Sequence, residues 1–526
     1  MSAPKSAHAD SPTGACAAGT TIQTADGPVC GITVNGINEW LGIPYAAPPI
    51  GALRWQPPQP PSPWTATLQA TQFGTECTQG SASNPVGSEN CLYLNVWAPA
   101  DGSTNLPVMV HIHGGGFFNG SGNGDNTLLA STGHEVIVSM NYRLNIFGFL
   151  ADKALGANSG DYGLQDQQAA LRWVQNNVAR FGGDPNTVTI FGESAGGSSV
   201  CDQIASPTAK GLFERGISTS GEYNTLLGTQ EQSPRIPEDL ESQDCKSALP
   251  TQSQADAAGK NFAAAVGCGP KTDVTACLQA LPLSAIEQAA WTPGDGYQFG
   301  GQGTVAPTIN GSTLTMTLRQ ALRTDHVNKV HVIAGTDRDE DLVGTATSAA
   351  SYQTLVDTQY GAFASQVLAK YPLSHFDNPG VAWRTVAADS DTVCPSLQTD
   401  ADFATRMPVY AYEIDDNDIP PYLAAGPGVV APGASHVGAW FLNPVSPALD
   451  ANQQMLQDQE VAYVTTFART GRPTATGTPP WPRFNAQDNP EEISLQPAGD
   501  TEPVTVAEVS AQHNCAFWDR IAPTNN

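Results

Sequence analysis

The chain has 526 residues and a formal net charge of −27. A surface that acidic repels phosphate backbones and anionic headgroups, which excludes nucleic acid and acidic membranes as expected partners. No apolar run reaches the ~18 residues of a membrane-spanning helix, while 40% hydrophobic against 14% charged residues provides for a large core.

Residues 1–15 read as a disordered tail or a signal-peptide remnant. Ala7-His8-Ala9 has the form of a cleavage site, but no apolar h-region precedes it. Residues 16–526 show no internal repeat and no low-complexity tail, so one domain is expected. Ten cysteines, none in C-x-x-C spacing, point to an oxidising compartment and away from structural zinc. A secreted or extracytoplasmic location follows as an expectation.

Cys16 and Cys30 bracket a Gly/Thr-rich segment and could pair. Trp40 to Trp55 and the Pro-rich run to Trp64 read as an irregular, packed N-terminal layer. Cys77 and Cys91 flank a polar loop whose closure would restrict the unfolded chain by roughly 3 kcal/mol. Strands are expected at Leu92–Trp97, Val108–His113 and Val136–Asn141, the second running into Gly114-Gly115-Gly116. Leu171, Val174, Val178 and Phe181 recur at helical spacing, so Gln165–Arg180 should be an amphipathic helix ended by Gly182-Gly183-Asp184-Pro185.

Val188, Ile190 and Phe191 then lead into Gly192-Glu193-Ser194-Ala195-Gly196. This is G-x-S-x-G at a strand-to-helix junction, where the turn is too sharp for a Cβ two places either side of the serine. Gly216–Ser220 reads as a short strand, and residues 225–310 as helical excursions carrying Cys245, Cys268 and Cys277. Lys329–Ala334 is another strand, leading into an acidic turn from Gly335. Residues 350–405 should be helical, Pro408–Glu413 the last strong strand, and Gln453–Phe467 a C-terminal helix. Strands alternating with helices imply a mostly parallel sheet with right-handed crossovers.

A serine hydroxyl needs a base and a carboxylate that orients it. In this architecture the chain order is Ser, acid, His. Only His375, His436 and His513 come late enough. His375 follows a helix end and His513 adjoins Cys515, whereas His436 has small neighbours just past a buried strand and is the best candidate base. The acid candidates are Asp337, Asp339, Glu340 and Asp341, among which periodicity does not choose. Gly114, Gly115 and Gly116 can turn successive N–H groups into one cavity, and the Ala195 N–H adds another donor, each such donor being worth ~3–4 kcal/mol to an oxyanion. Metal, phosphate and dinucleotide motifs are lacking, so no cofactor is expected.

Taken together, these segments resemble the type B carboxylesterases, the cholinesterase-like branch of the α/β-hydrolases. The resemblance runs from about Thr21 to near the C-terminus. It rests on Leu41-Gly-Ile-Pro-Tyr-Ala46, Pro48-Pro49-Ile-Gly51, Asn90-Cys-Leu-Tyr-Leu-Asn-Val96, His113-Gly-Gly-Gly-Phe117, Asn141-Tyr-Arg-Leu144, Phe181-Gly-Gly-Asp-Pro185 and Gly192-Glu-Ser-Ala-Gly-Gly197. It implies an α/β-hydrolase fold with helical excursions over the active site. It also implies ester hydrolysis by a Ser194–His436–Glu340 triad, with Gly115, Gly116 and Ala195 as oxyanion donors and Ser220 buttressing the triad.

Cys77–Cys91 and Cys268–Cys277 match the family's first two disulfides. Three pairings stay open for Cys201, Cys245, Cys394 and Cys515. Phe117, Phe118, Glu222 and Tyr223 are expected to line the substrate pocket. The partner is a small-molecule ester, and nothing in the chain specifies an oligomeric state. Val437 stands where the family's base segment has Gly, and Asp341 follows Glu340 in place of Gly. The Cys77–Cys91 loop has no Trp, so choline esters are disfavoured. Carbamate, amide or polyester cleavage would share every motif. A non-catalytic binding module on this fold would typically have lost the nucleophile.

Overall fold

The apolar runs around Val108, Val136 and Ile190 have no polar face to turn to water, which suits them to strands covered on both sides. They form the middle of an eleven-stranded sheet, counted among the described residues. The computed structural model describes residues 15–81, 84–222, 245, 249–292, 296–297, 307–340, 346–416, 449–488 and 490–521. In chain order the strands are β1 Ile32–Val34, β2 Ile37–Pro44, β3 Tyr93–Pro99, β4 Leu106–Ile112, β5 Val136–Met140 and β6 Gly183–Glu193. They continue with β7 Arg215–Thr219, β8 His331–Asp337, β9 Val409–Ile414, β10 Glu491–Leu495 and β11 Glu502–Thr505. The spatial order is β11-β10-β9-β8-β7-β6-β4-β5-β3-β2-β1. From β10 to β5 neighbours run parallel, while β3, β2 and β1 on one edge and β11 on the other are antiparallel.

The two-residue period of a strand sorts its side chains onto two faces. Met109, Ile137, Phe191, Ile217 and Ile333 meet Leu456, Val464 and Phe467, so that face is covered by a helix at Ala451–Thr470. Val108, Val110, Val138, Val188, Ile190 and Val332 face the other way. There they pack with Leu171 and Val174 of α1 (Tyr162–Asn177) and Val200 and Ile204 of α2 (Ala195–Ala205). Each such side chain, fully buried, contributes about 1.5–3 kcal/mol. Helices at Gln252–Ala265, Val274–Gln279 and Leu283–Ala290 lie between β7 and β8 in sequence. Further on come α3 (Cys394–Ala404), α4 (the covering helix Ala451–Thr470) and α5 (Val506–Gln512).

Three expectations are corrected. The segment around Trp40 is an ordered strand, β2, paired with β3 and interrupted by a register shift between Trp40 and Ile43; the bulge and Pro44 hid its periodicity. Pro408–Glu413 is followed by two more strands, β10 and β11, whose Glu and Pro content is poor strand signal. Gly335 does not open the acidic turn, since β8 runs on to Asp337. A Cβ at Gly335 would collide with the Tyr412 carbonyl oxygen of the neighbouring strand, so the glycine serves close strand approach.

All ten cysteines pair, as Cys16–Cys30, Cys77–Cys91, Cys201–Cys245, Cys268–Cys277 and Cys394–Cys515. The last spans 121 residues and joins the start of α3 to the C-terminal segment.

Arg143 follows β5 and is buried with Asp166 of α1. Its Nε and Nη2 donate to the two carboxylate oxygens at 2.7 and 2.8 Å, and its Nη1 donates to the Gln56 carbonyl at 2.9 Å. The fork satisfies both charges, but only while both partners remain. Asp166→Asn should therefore lower unfolding stability by about 3–5 kcal/mol, read as a drop in the urea midpoint at unchanged slope.

Candidate active site

Ser194 sits between β6 and α2 with φ 56° and ψ −125°, a conformation that side-chain-bearing residues rarely adopt. Packing enforces it. A Cβ at Gly192 would lie 2.6 Å from the Gly196 carbonyl carbon, and a Cβ at Gly196 would collide with the Ile112 carbonyl oxygen of β4. The Ser194 N–H donates to the Thr219 carbonyl at the end of β7 (3.0 Å). The serine side chain is thus held at the ends of β4, β6 and β7, over the first turn of an eleven-residue helix.

The glycine triplet lies against it. A Cβ at Gly114 would be 3.2 Å from Ser194 Cβ and 2.6 Å from the Glu193 carbonyl oxygen. Gly115 and Gly116 have φ of +105° and +64°, and Cβ atoms there would run into Asn119 and the Phe118 ring. The Gly115 carbonyl accepts from the N–H groups of Phe118 and Asn119 at 3.1 and 3.0 Å. Of the three expected pocket aromatics, Phe117 is fully buried against Phe149, with ring centroids 5.2 Å apart, and Phe118 lies over Gly116.

On the far side, Ser220 (φ 42°) turns its Oγ to donate to Glu340 Oε2 at 2.8 Å, and its N–H donates to the Gly335 carbonyl at 2.8 Å. Both side chains are buried. Of the four acid candidates, this hydrogen bond is made by Glu340. Asp339 pairs with Arg338, Asp337 ends β8, and Asp341 lies outside the described residues. Glu222 accepts a hydrogen bond from the Thr399 hydroxyl of α3 and is buried. Cys245 Sγ lies 3.4 Å from the Gly221 carbonyl oxygen, so the Cys201–Cys245 bridge backs the Ser220–Gly221 turn.

His436 and Tyr223 lie outside the described residues. The other late histidines are described. His375 is exposed in a short turn at Leu373–His375. His513 is buried at the end of α5, with Nδ1 2.6 Å from Asp389 Oδ1. Its Nε2 is 2.9 Å from Glu413 Oε2, a charge contact rather than an aligned hydrogen bond. Burial alone would depress the imidazole, but Asp389 and Glu413 raise its pKa well above the usual range. With both ring nitrogens facing carboxylates, it has no lone pair to offer a hydroxyl. Nothing local in the sequence marks this cluster, because Asp389 is 124 residues away. Two earlier histidines are held neutral chiefly by burial, His111 at about 3 and His113 at about 4.

The family described as the carboxylesterase family matches this chain over residues 18–518. The chain belongs to that family. It is a carboxylic ester hydrolase. It is 48% identical to para-nitrobenzyl esterase of Bacillus subtilis (strain 168) over 222 residues, which cover 40% of this chain and 45% of that one. It is 29% identical to acetylcholinesterase of Bungarus fasciatus, covering 95% of this chain and 86% of the relative. It is also 29% identical to human cocaine esterase, covering 93% and 88%. The solved structure of PNB esterase superposes with a TM-score of 0.75 at 29% identity, covering 94% of this chain and 99% of that one. The sheet and helices described above are therefore an α/β-hydrolase fold.

The His513 pair makes the esterase's stability depend on pH. Its folded pKa is raised, so its contribution is full below the unfolded value of about 6.5 and is lost as pH rises through the folded value. Asp389, raised chiefly by burial, has the same sign. His513→Gln should cost about 3–5 kcal/mol at pH 6 and flatten the alkaline fall in melting temperature that scanning calorimetry records for the parent.

Proposed function

We propose that this esterase cleaves small carboxylic esters through an acyl-enzyme, with Ser194 as nucleophile, His436 as general base and Glu340 as the orienting acid. The observation that carries the reading is Ser194, held in a strained turn against Gly114 at the start of α2. Strain of this kind persists only where the surrounding packing over-determines it, and it aims the hydroxyl out of the turn.

His436 takes the Ser194 proton as Oγ bonds to the ester carbonyl carbon. Negative charge gathers on the carbonyl oxygen, where the N–H groups of Gly115, Gly116 and Ala195 are its donors. Collapse breaks the bond to the leaving alkoxide, which receives the proton from His436. Water then attacks the acyl-enzyme by the same route and releases the acid. Glu340 orients the imidazole and stabilises its cation, and Ser220 holds Glu340 by the 2.8 Å hydrogen bond. The assignment of the base is supported by the state of its rivals, since His375 is exposed and His513 is committed to Asp389 and Glu413.

The substrate is a neutral ester without a quaternary ammonium group. The Cys77–Cys91 loop offers no Trp for such a cation. Five disulfides suit an oxidising compartment, and a secreted or extracytoplasmic location is part of the proposal. No helix among the described residues is long and apolar enough to cross a membrane.

Ser194→Ala should lower kcat for p-nitrophenyl acetate by roughly 10⁶-fold with unchanged circular dichroism; appreciable turnover would sink the nucleophile assignment. In the parent, kcat/KM should fall below a limb near about pH 6.5, and His436→Asn should remove the activity. A panel of p-nitrophenyl esters of rising acyl length, with an aromatic diester and an anilide, ranks the substrate classes. Preference for the anilide would replace the ester reading of this site.

A further inference from the structure

We propose that Arg338 is a positioning residue for ester hydrolysis, clamping the turn that carries Glu340 to the C-terminal end of β9. The inference rests on the reading of Glu340 as the triad acid.

β8 ends at Asp337, and Glu340 follows three residues later, buried, with one oxygen on Ser220. The Ser220 hydrogen bond acts on a carboxylate oxygen at the end of the side chain, whereas the backbone of the turn is placed by what holds Arg338 and Asp339. Arg338 ties that backbone to the neighbouring strand. Its N–H donates to the Ile414 carbonyl at 3.0 Å, continuing the β8–β9 ladder one residue past the strand. Its Nε donates to Asp339 Oδ2 at 2.7 Å, within the turn, and its Nη1 reaches Asp415 Oδ1, beyond β9. Asp415 is itself tied to β10, its N–H donating to the Leu495 carbonyl at 2.9 Å. One guanidinium therefore joins the acid turn to two strands.

The charges around it explain why a cation is needed there. Asp339 faces it from its own turn, and Asp415 and Glu413 face it from β9 and its end. Behind them stand Asp389, from the π-helical segment Ala388–Val393 that runs into α3, and His513, after α5. The Arg338, Asp339 and Asp415 side chains are only 18%, 18% and 19% exposed, so water screens them poorly. Without the guanidinium, Asp339 and Asp415 would repel across the gap and drive the Glu340 turn away from β9. A triad acid loses its value when displaced by about an ångström.

The test measures kcat and KM for p-nitrophenyl acetate from pH 5 to 9, with melting temperature, for the parent and four variants. These are Arg338→Gln, Arg338→Lys, Glu340→Gln and the Arg338→Gln/Glu340→Gln double. Arg338→Gln should lower kcat about tenfold or more at little-changed KM. It should also shift the acid limb of kcat to lower pH, because the base loses part of the carboxylate that supports its protonated form. Arg338→Lys should recover part of both effects. The double variant should be no slower than Glu340→Gln alone, as expected when one residue acts through the other.

The clamp is overturned if Arg338→Gln keeps parental kcat, if its loss adds in full to that of Glu340→Gln, or if the acid limb does not move. Should Arg338→Gln fail to fold, Arg338→Lys and Asp415→Asn carry the same comparison. If Glu340→Gln keeps parental kcat, the triad reading fails. If Glu340→Gln is slow while Arg338→Gln is not, only the clamp fails.

Discussion

The approach of the Ile112 carbonyl to the backbone of Gly192 and Gly196 is the constraint on which the site depends. It brings the end of β4 into direct contact with the turn between β6 and α2. No side chain fits between them, so the turn can close only on glycines, and Ser194 is left at φ 56°. The same contact sets Gly114, two residues beyond Ile112, against Ser194 Cβ. The strained serine and the glycine triplet thus come together as a consequence of strand spacing. The cost of the strained serine is met by the two core clusters that hold β4 and β6 in register.

The second half of the site is built from buried and half-buried charge. Glu340 meets Ser220, Arg338 meets Asp339 and Asp415, and His513 meets Asp389 and Glu413. Ion pairs of this kind add little net stability over well-packed apolar groups, but each is costly to leave half-made. They therefore act as registers: the turn after β8, the end of β9 and the C-terminal segment pack in the one arrangement that pairs them. The Cys394–Cys515 bridge holds the same segment covalently. Ser220 and Gly221 are backed similarly by the Cys201–Cys245 bridge, which ties α2 to the chain beyond β7.

The most legible parts of the sequence were those where one residue type has a local steric or periodic reason. The central strands were readable because valine and isoleucine runs have no other stable environment, and α1 because Leu171 and Val174 recur on one face. Glycines were harder. At Gly192 and Gly196 the surrounding pattern pointed to the elbow, but Gly335 looked like a turn and is a close crossing against Tyr412. A missing Cβ says that something is near without saying what. β2, β10 and β11 were obscured because a bulge, prolines and glutamates break the two-residue period, and partner strands override weak local preference.

By itself, the sequence determined the central strands, α1, the elbow around Ser194 and the glycine triplet, because each is written in neighbouring residues. It narrowed the acid to four carboxylates between Asp337 and Asp341, and the disulfides of four cysteines to three pairings. Tertiary structure alone decided that Cys201 joins Cys245 and Cys394 joins Cys515, and that His513 is bound into a buried charge cluster, and it set Glu340, the acid the resemblance implied, on Ser220. The reason is physical. A hydrogen bond or ion pair between residues 120 or 124 positions apart leaves no local pattern, and which groups meet is settled by packing of the elements that carry them.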